Sequence, residues 1–405
     1  MHHSNRNTFP VWLACLLVFT ALVTYFVVHI PRTLSQDTAA GISLPEPPLS
    51  STELVLGADD SEIAAVPDVH SEPATDSEVA GTNNSIEDTA LPADLVSDET
   101  PDVESDIHIH RYRNGTCTEC GASPEFLTGF LPEEYYQEAT HQGTVSLHQY
   151  KIKAYANHGE GEFDKCFNVY LPYGYDESRP YDVLVLIHGG GGDQDSWLNT
   201  VYDYGDIQMC GRVIFDNIFE KGHAKPCIIV TPVTETNQCQ GLTAGIYQMR
   251  DELREYILPY VAEHYSTYAA DGSLESLQAA RDHFGLGGLS NGALFVYEGG
   301  MRYNFDLFGS YAAFSGNGEP WITVAIIQDE AYASLPIRCY FTGAGTWNDL
   351  QENYTSIGYS YFLEKDSRLI DGKNAWHVNV EGEHEWKVWF TDMYNALPLM
   401  FQETD

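Results

Sequence analysis

Basic residues are scarce in this chain. Lysine and arginine number 20 against 59 aspartates and glutamates, which leaves a net charge of −39. A charge of this sign and size repels polyanions and argues against nucleic acid as a partner. No lysine or arginine lies between Arg32 and Arg111, and no aromatic residue lies between Pro31 and Ile107. Such a tract cannot bury enough apolar surface to offset its ordering entropy. Residues 31–107 are therefore expected to form a disordered acidic linker, stretched by self-repulsion. Only one Cys-x-x-Cys pair occurs, so a four-cysteine zinc module is excluded. No internal repeat is present, and no Gly-Lys-Ser/Thr follows the glycine run at 189–192 that a phosphate-binding loop would need.

What is present points to one substantial domain with appendages. The 405 residues are 43% hydrophobic and 13% aromatic, enough for a sizeable core. Residues 10–30 carry the apolar run Val11 to Ile30, broken only by Thr20, Thr24 and His29. As a helix it would rise about 30 Å, the thickness of a bilayer core. With Arg6 before it and Arg32 after it, the expectation is a transmembrane signal-anchor. Residues 1–9 would then be a short cytoplasmic tail, and the remainder would be exported. The alternative is a signal peptide, cleaved to release the body.

A compact His/Cys segment, 108–142, follows the linker. It holds His108, His110, Cys117 and Cys120. The readings that stay open are a zinc site completed by the histidines, a disulfide formed after export, or free thiols. The other cysteines, Cys166, Cys210, Cys227, Cys239 and Cys339, fit no metal pattern, and Cys210 could pair with Cys239 or Cys227.

Residues 143–405 alternate strand-like and helix-like stretches, the pattern of an α/β fold. Tyr181 to Ile187 and Cys227 to Pro232 are nearly continuous apolar runs, expected for strands buried on both faces of a parallel sheet. Further strands are predicted at Ser146 to Lys153, Phe167 to Pro172, Phe284 to Leu289, Ile337 to Thr342 and His377 to Val380. Helical spacing runs from Met249 to Tyr265, and a second helical stretch begins at Gly292.

Three motifs carry chemistry. Gly288-Leu289-Ser290-Asn291-Gly292 sits between a predicted strand and a predicted helix, the context of a nucleophile elbow. The turn is sharp and needs small flanking residues. It would lift Ser290 above the sheet, beside a helix N-terminus that favours developing negative charge. His188-Gly189-Gly190-Gly191-Gly192 follows a buried strand, and its glycines let backbone N–H groups approach a substrate. An acyl-transfer enzyme needs two such donors for the oxyanion, here assigned to Asn291 and Gly190. His188 itself reads as structural. Late in the chain, Glu381-Gly382-Glu383-His384-Glu385-Trp386-Lys387-Val388-Trp389 places His384 in a loop before a final helix. The order serine, then acid, then histidine is that of the α/β-hydrolases.

Tyr170-Leu171-Pro172, the glycine loop, the serine pentapeptide and Gly382-Glu383-His384-Glu385-Trp386-x-x-Trp389 together resemble the esterase D-like hydrolases. Within these the chain is similar to carbohydrate esterase family one, the feruloyl and acetylxylan esterases. The resemblance spans about residues 146–401. It implies an α/β-hydrolase fold, a Ser-His-Asp mechanism without metal or other cofactor, and acetyl or feruloyl esters on plant-wall xylan as substrates. The family carries a Gly-Thr-x-Asp motif for the acid. Here Gly345-Thr346-Trp347-Asn348-Asp349 puts Asn348 at the matching position and Asp349 one residue later. Asp349 is the expected acid, in a loop that holds one extra residue, and Asn348 is the alternative if it does not. Trp197, Trp347 and Trp386 lie near motif loops and are candidates to stack on a sugar or feruloyl ring. Two other functions stay open, a non-catalytic carbohydrate-binding relative and a different serine hydrolase such as a peptidase or acyltransferase.

Overall fold

The computed structural model describes residues 109–155, 161–236 and 241–402. The expected tail, anchor and linker, together with His108 and Cys239, lie outside the described residues. All described residues belong to the compact unit Asp98–Asp405. Among them no helix is long and apolar enough to cross a membrane.

The elements run in the order β1 (Tyr112–Arg113), β2 (Thr116–Cys117), β3 (Thr144–Lys153), β4 (Glu162–Leu171), β5 (Val183–Ile187), β6 (Val201–Asp203), β7 (Gln208–Cys210), α1 (Gly211–Glu220), β8 (Ile228–Pro232), α2 (Leu242–Glu252), α3 (Leu258–His264) and α4 (Leu274–Ala279). They continue through β9 (Phe284–Leu289), α5 (Asn291–Phe295), β10 (Ser310–Phe314), α6 (Pro320–Ile327), β11 (Cys339–Gly343), α7 (Gln351–Lys365), β12 (Ala375–Asn379) and α8 (Trp386–Met400). Ten strands form one sheet in the order β2-β1-β12-β11-β10-β9-β5-β8-β4-β3. The run from β8 to β12 is parallel, and β3 and β4 add antiparallel strands at one side. This is the α/β architecture expected from the sequence.

Burial explains the apolar runs. Every residue of β5, β8, β9, β10, β11 and β12 is buried. In β5, Val183, Val185 and Ile187 pack into one apolar cluster, and Leu184 and Leu186 into the cluster on the opposite face. Helices cover both faces, so these strands are buried on both sides and are mostly apolar. The predicted helix over 249–265 is longer and interrupted. A π turn at Leu253–Ile257 joins α2 to α3, and Pro259 falls at the first turn of α3, where its missing N–H is tolerated.

Segment 108–142 is not a separate module, contrary to its compact appearance in sequence. Tyr112 of β1 pairs in parallel with Val378 of β12, so this hairpin extends the main sheet. Thr128 N donates to Asn395 Oδ1 at 2.9 Å, and Asn395 Nδ2 donates back to Thr128 O at 2.9 Å. Cys120 carries a free thiol, so Cys117 and Cys120 are not bridged, and Cys210 and Cys227 also hold free thiols. Nδ1 of His110 lies 2.6 Å from Asp371 Oδ2. Among the described residues no group of three or more histidines, cysteines and carboxylates could hold a metal ion.

Candidate active site

The motif residues all lie at carboxyl ends of parallel strands, where open α/β sheets place their ligand crevice. The glycine loop follows β5, Ser290 follows β9, Asp349 follows β11 and His384 follows β12.

Ser290 has φ 53° and ψ −115°, a conformation an L-residue adopts only under local strain. The surroundings enforce it. A Cβ at Gly288 would run into the backbone of Gly292, and one at Gly292 would run into the carbonyl oxygens of Ile187 and His188. Ser290 N donates to Phe314 O at 2.9 Å, which ties the turn to β10. Asn291 opens α5, so its N–H has no intrahelical acceptor.

The glycine loop lies directly against this turn. A Cβ on Gly189 would stand 3.3 Å from Ser290 Cβ, and one on Gly190 would stand 2.7 Å from Asn291 Nδ2. His188 holds the loop from below. Its Nδ1–H donates to Gly189 O at 2.7 Å, and its Nε2 accepts from Thr234 N at 3.1 Å. Burial lowers the pKa of this imidazole, which fits a neutral brace. Asp193 and Asp195 fix the loop through turn contacts. Asp195 N donates to Asp193 Oδ1 at 3.0 Å, and Asn168 Nδ2 of β4 donates to Asp195 Oδ1 at 2.9 Å.

Acid and base meet across the β11 and β12 loops. His384 Nδ1 lies 3.3 Å from each carboxyl oxygen of Asp349. Asp349 is buried. Ser315 Oγ donates to its Oδ2 at 2.7 Å, and Gln351 N donates to its Oδ1 at 2.9 Å. Burial opposes ionisation of Asp349, but the bonds from His384, Ser315 and Gln351 outweigh it, and its pKa falls below the ordinary value. Asn348 is exposed and takes φ 58°, a left-handed turn, while Asp349 next to it is buried. Trp389 serves both partners. Its Nε1 donates to Ser315 Oγ at 3.0 Å, and its ring meets His384 edge-on at 4.9 Å.

Ser290 and His384 line one cavity of about 440 Å³, together with Gly190, Leu289, Tyr202, Trp386 and Trp389. No hydrogen bond joins Ser290 to His384 among the described residues, the loose geometry common before a substrate closes a site. Trp386 faces this cavity and stacks on Tyr202 at 4.4 Å. Trp197 does not face it, which corrects the expectation. It is fully buried, donates Nε1 to Ile187 O at 3.0 Å and packs edge-on against Trp386 at 5.1 Å. Trp347 is exposed outside the cavity lining, with Lys387 Nζ 5.6 Å from its ring centroid. Tyr202 and Ser315 escape sequence reasoning. Tyr202 sits on the small β6–β7 flap, whose strands are too short to show periodicity. Ser315 directly follows β10, a strand that leaves no clear signal in the sequence.

Comparison with known proteins follows from this geometry. The Esterase family model matches residues 162–400. Endo-1,4-beta-xylanase Y of Acetivibrio thermocellus is 29% identical over 251 residues, 59% of this chain and 22% of that protein. The chain thus spans about a fifth of that relative's length. Among solved structures, a mutant feruloyl esterase module from Clostridium thermocellum, complexed with sinapinate, aligns with a TM-score of 0.57 at 24% identity. That alignment covers 68% of this chain and 93% of the module. A ferulic acid esterase from Anaeromyces mucronatus aligns at 0.51 and 24% identity, covering 68% of this chain and 97% of its own. These likenesses establish the shared fold.

Proposed function

This chain belongs to the Esterase family, and from that premise we propose that Ser290, His384 and Asp349 hydrolyse feruloyl or acetyl esters carried on plant-wall polysaccharide. The observation that carries the proposal is the convergence of a strained serine turn and a buried-acid–histidine pair on one cavity. Ser290 Oγ attacks the ester carbonyl while His384 Nε2 takes its proton. Asp349 holds Nδ1–H and stabilises the imidazolium. Charge on the carbonyl oxygen is met by the N–H groups of Asn291 and Gly190. Collapse expels the alcohol, which takes the proton from His384. Water then enters by the same steps and frees the acid.

The aromatic side of the cavity, Tyr202 and Trp386, suits a planar acyl group. The xylanase relative and the two esterase structures support xylan-borne ferulate as the ester class. The apolar run within 10–30 and the acidic 31–107 tract further support an anchored enzyme held away from the cell surface. Protease shaving of intact cells should remove the activity from the cell pellet, and retention would place the domain inside.

The substrate class is tested with methyl ferulate, p-nitrophenyl acetate, feruloylated xylan fragments and a peptide amide in parallel. Esters should turn over and the amide should not. Binding of xylan fragments with no turnover of any ester would replace the enzyme reading with a binding role.

A further inference from the structure

A second cavity, of about 200 Å³, opens at the β1 edge of the sheet between β12 and α7. Arg111, Arg113, Glu352, Asn379 and His377 line it. None of these residues belongs to the triad or the glycine loop.

His377 is the unusual member. It is 1% exposed, and its Nε2 has no hydrogen-bond partner. Leaving a buried polar atom unpaired is costly, so such an atom in a cavity wall calls for an explanation. The other ring nitrogen, Nδ1, meets Thr342 Oγ1 at 2.8 Å, and Thr342 is its cross-strand neighbour on β11. Burial, reinforced by the nearby Arg111 charge, lowers the imidazole pKa to about 3, so the ring is neutral and carries one N–H. If that proton sat on Nδ1, both the Thr342 hydroxyl proton and Nε2 would be unsatisfied. If Thr342 donates to Nδ1, the proton sits on Nε2 and one group alone is unsatisfied. The second arrangement costs less, and it makes Nε2–H a buried donor without an acceptor.

Among the other wall groups, Arg111, Arg113 and Asn379 supply donors, while the Glu352 carboxylate is engaged by Arg113. Asn379 Oδ1 is occupied by Ala344 N at 3.2 Å, which leaves its amide N–H groups. Arg113 Nη2 donates to Glu352 Oε1 at 2.7 Å, and Arg111 stands 3.8 Å from Glu119, a loose pair. Each guanidinium has five N–H groups, so both keep donors in reserve. Glu352 and Glu119, in direct contact, offset the two positive charges. What the cavity offers is therefore short-range, directional donation, suited to a flat oxyanion.

We propose that this cavity binds the carboxylate of a small organic acid, with His377 Nε2–H as the buried anchor and the Arg111 and Arg113 guanidiniums as the outer clamp. Two sources share this chemistry, a uronic acid unit of a polysaccharide and a free organic acid. The site is separate from the esterase centre, so its occupancy does not depend on Ser290.

The test is a titration of the full chain with sodium glucuronate, followed by the ¹⁵N resonances of the histidine side chains. The His377 signals are assigned from His377→Gln. Saturable shifts of His377 are expected in both the wild type and Ser290→Ala, with neutral glucose producing none. Arg111→Gln and Arg113→Gln change exposed side chains, and each should weaken binding about tenfold or more, the effect of one charge-assisted hydrogen bond. Tighter binding of a glucuronate-bearing xylo-oligosaccharide than of glucuronate assigns the source to the glycan. Equal binding of acetate and glucuronate assigns it to free acids. Absence of a saturable shift, an equal response to glucose, or binding unchanged in both arginine variants overturns the proposal. Since Ser290→Ala is used throughout, these outcomes are independent of whether the chain hydrolyses esters.

Discussion

At the scale of single residues, two carboxyl groups near the site are driven in opposite directions. Asp349 is held below its ordinary pKa by donated hydrogen bonds, although burial pulls the other way. Asp392, on α8, is fully buried and neither of its carboxyl oxygens has a hydrogen-bond partner. Burial, then the charge on Asp349, pushes its pKa well above the ordinary value. The pair therefore divides into one ionised and one protonated acid. Native Asp392 keeps its proton where an unfolded aspartate, with a pKa of about 4, has lost it. The native state then binds more protons, and stability falls as pH rises above that value. Asp392→Asn removes this dependence. Thermal melts of the variant should match the wild type near pH 4 and lie higher at neutral pH. An unchanged pH slope would show that Asp392 ionises in the fold. The linkage for Asp349 has the opposite sign, so its contribution is present above about pH 4 and is lost as pH falls through its lowered pKa.

At the scale of elements, the nucleophile turn depends on contacts that tolerate no added atom. Gly292→Ala would place a methyl against the Ile187 and His188 carbonyls, where β5 runs into the glycine loop. The variant should lose about 1–3 kcal/mol of stability, and turnover should fall with it because the loop must shift. Urea melts and methyl ferulate kinetics read both effects, and a fully active, equally stable variant would mean that the contact relaxes freely. The same contacts explain what was legible in sequence. Ser290, His384 and the glycine run announce themselves because sharp turns restrict residue choice to glycine and serine. Strands such as β5 and β8 are legible because burial on both faces leaves a nearly continuous apolar run. The strand β10, Ser310 to Phe314, is short and rich in small residues, so it gives no such signal. Trp197 misleads because nearness in sequence to the glycine loop says nothing about which face of the loop a side chain takes. Asp349 could not be separated from Asn348 without the backbone, since the deciding feature is the left-handed conformation at Asn348.

At the scale of the whole molecule, the β1–β2 hairpin is the least legible part. Its register is set by β12, a strand about 265 residues away in sequence, as the pairing of Tyr112 with Val378 shows. Tyr112, Leu127, Leu131 and Tyr135 join the same apolar cluster as Val388, Phe390 and Met393 of α8. Residues 109–142 therefore pack as part of the same folding unit as the sheet. A chain truncated at Gly143 should melt at lower temperature than one beginning at Ile107 and expose apolar surface. Equal stability of the two would show that the hairpin merely decorates the sheet edge.

The central claim is that one cavity holds a Ser290–His384–Asp349 triad. It is tested most directly by kcat/KM for methyl ferulate in the wild type beside Ser290→Ala, Asp349→Ala and Asn348→Ala. The account predicts a loss of roughly a millionfold for Ser290→Ala, about ten-thousandfold for Asp349→Ala, and near wild-type turnover for Asn348→Ala. Full activity in Asp349→Ala, or a collapse confined to Asn348→Ala, would contradict it.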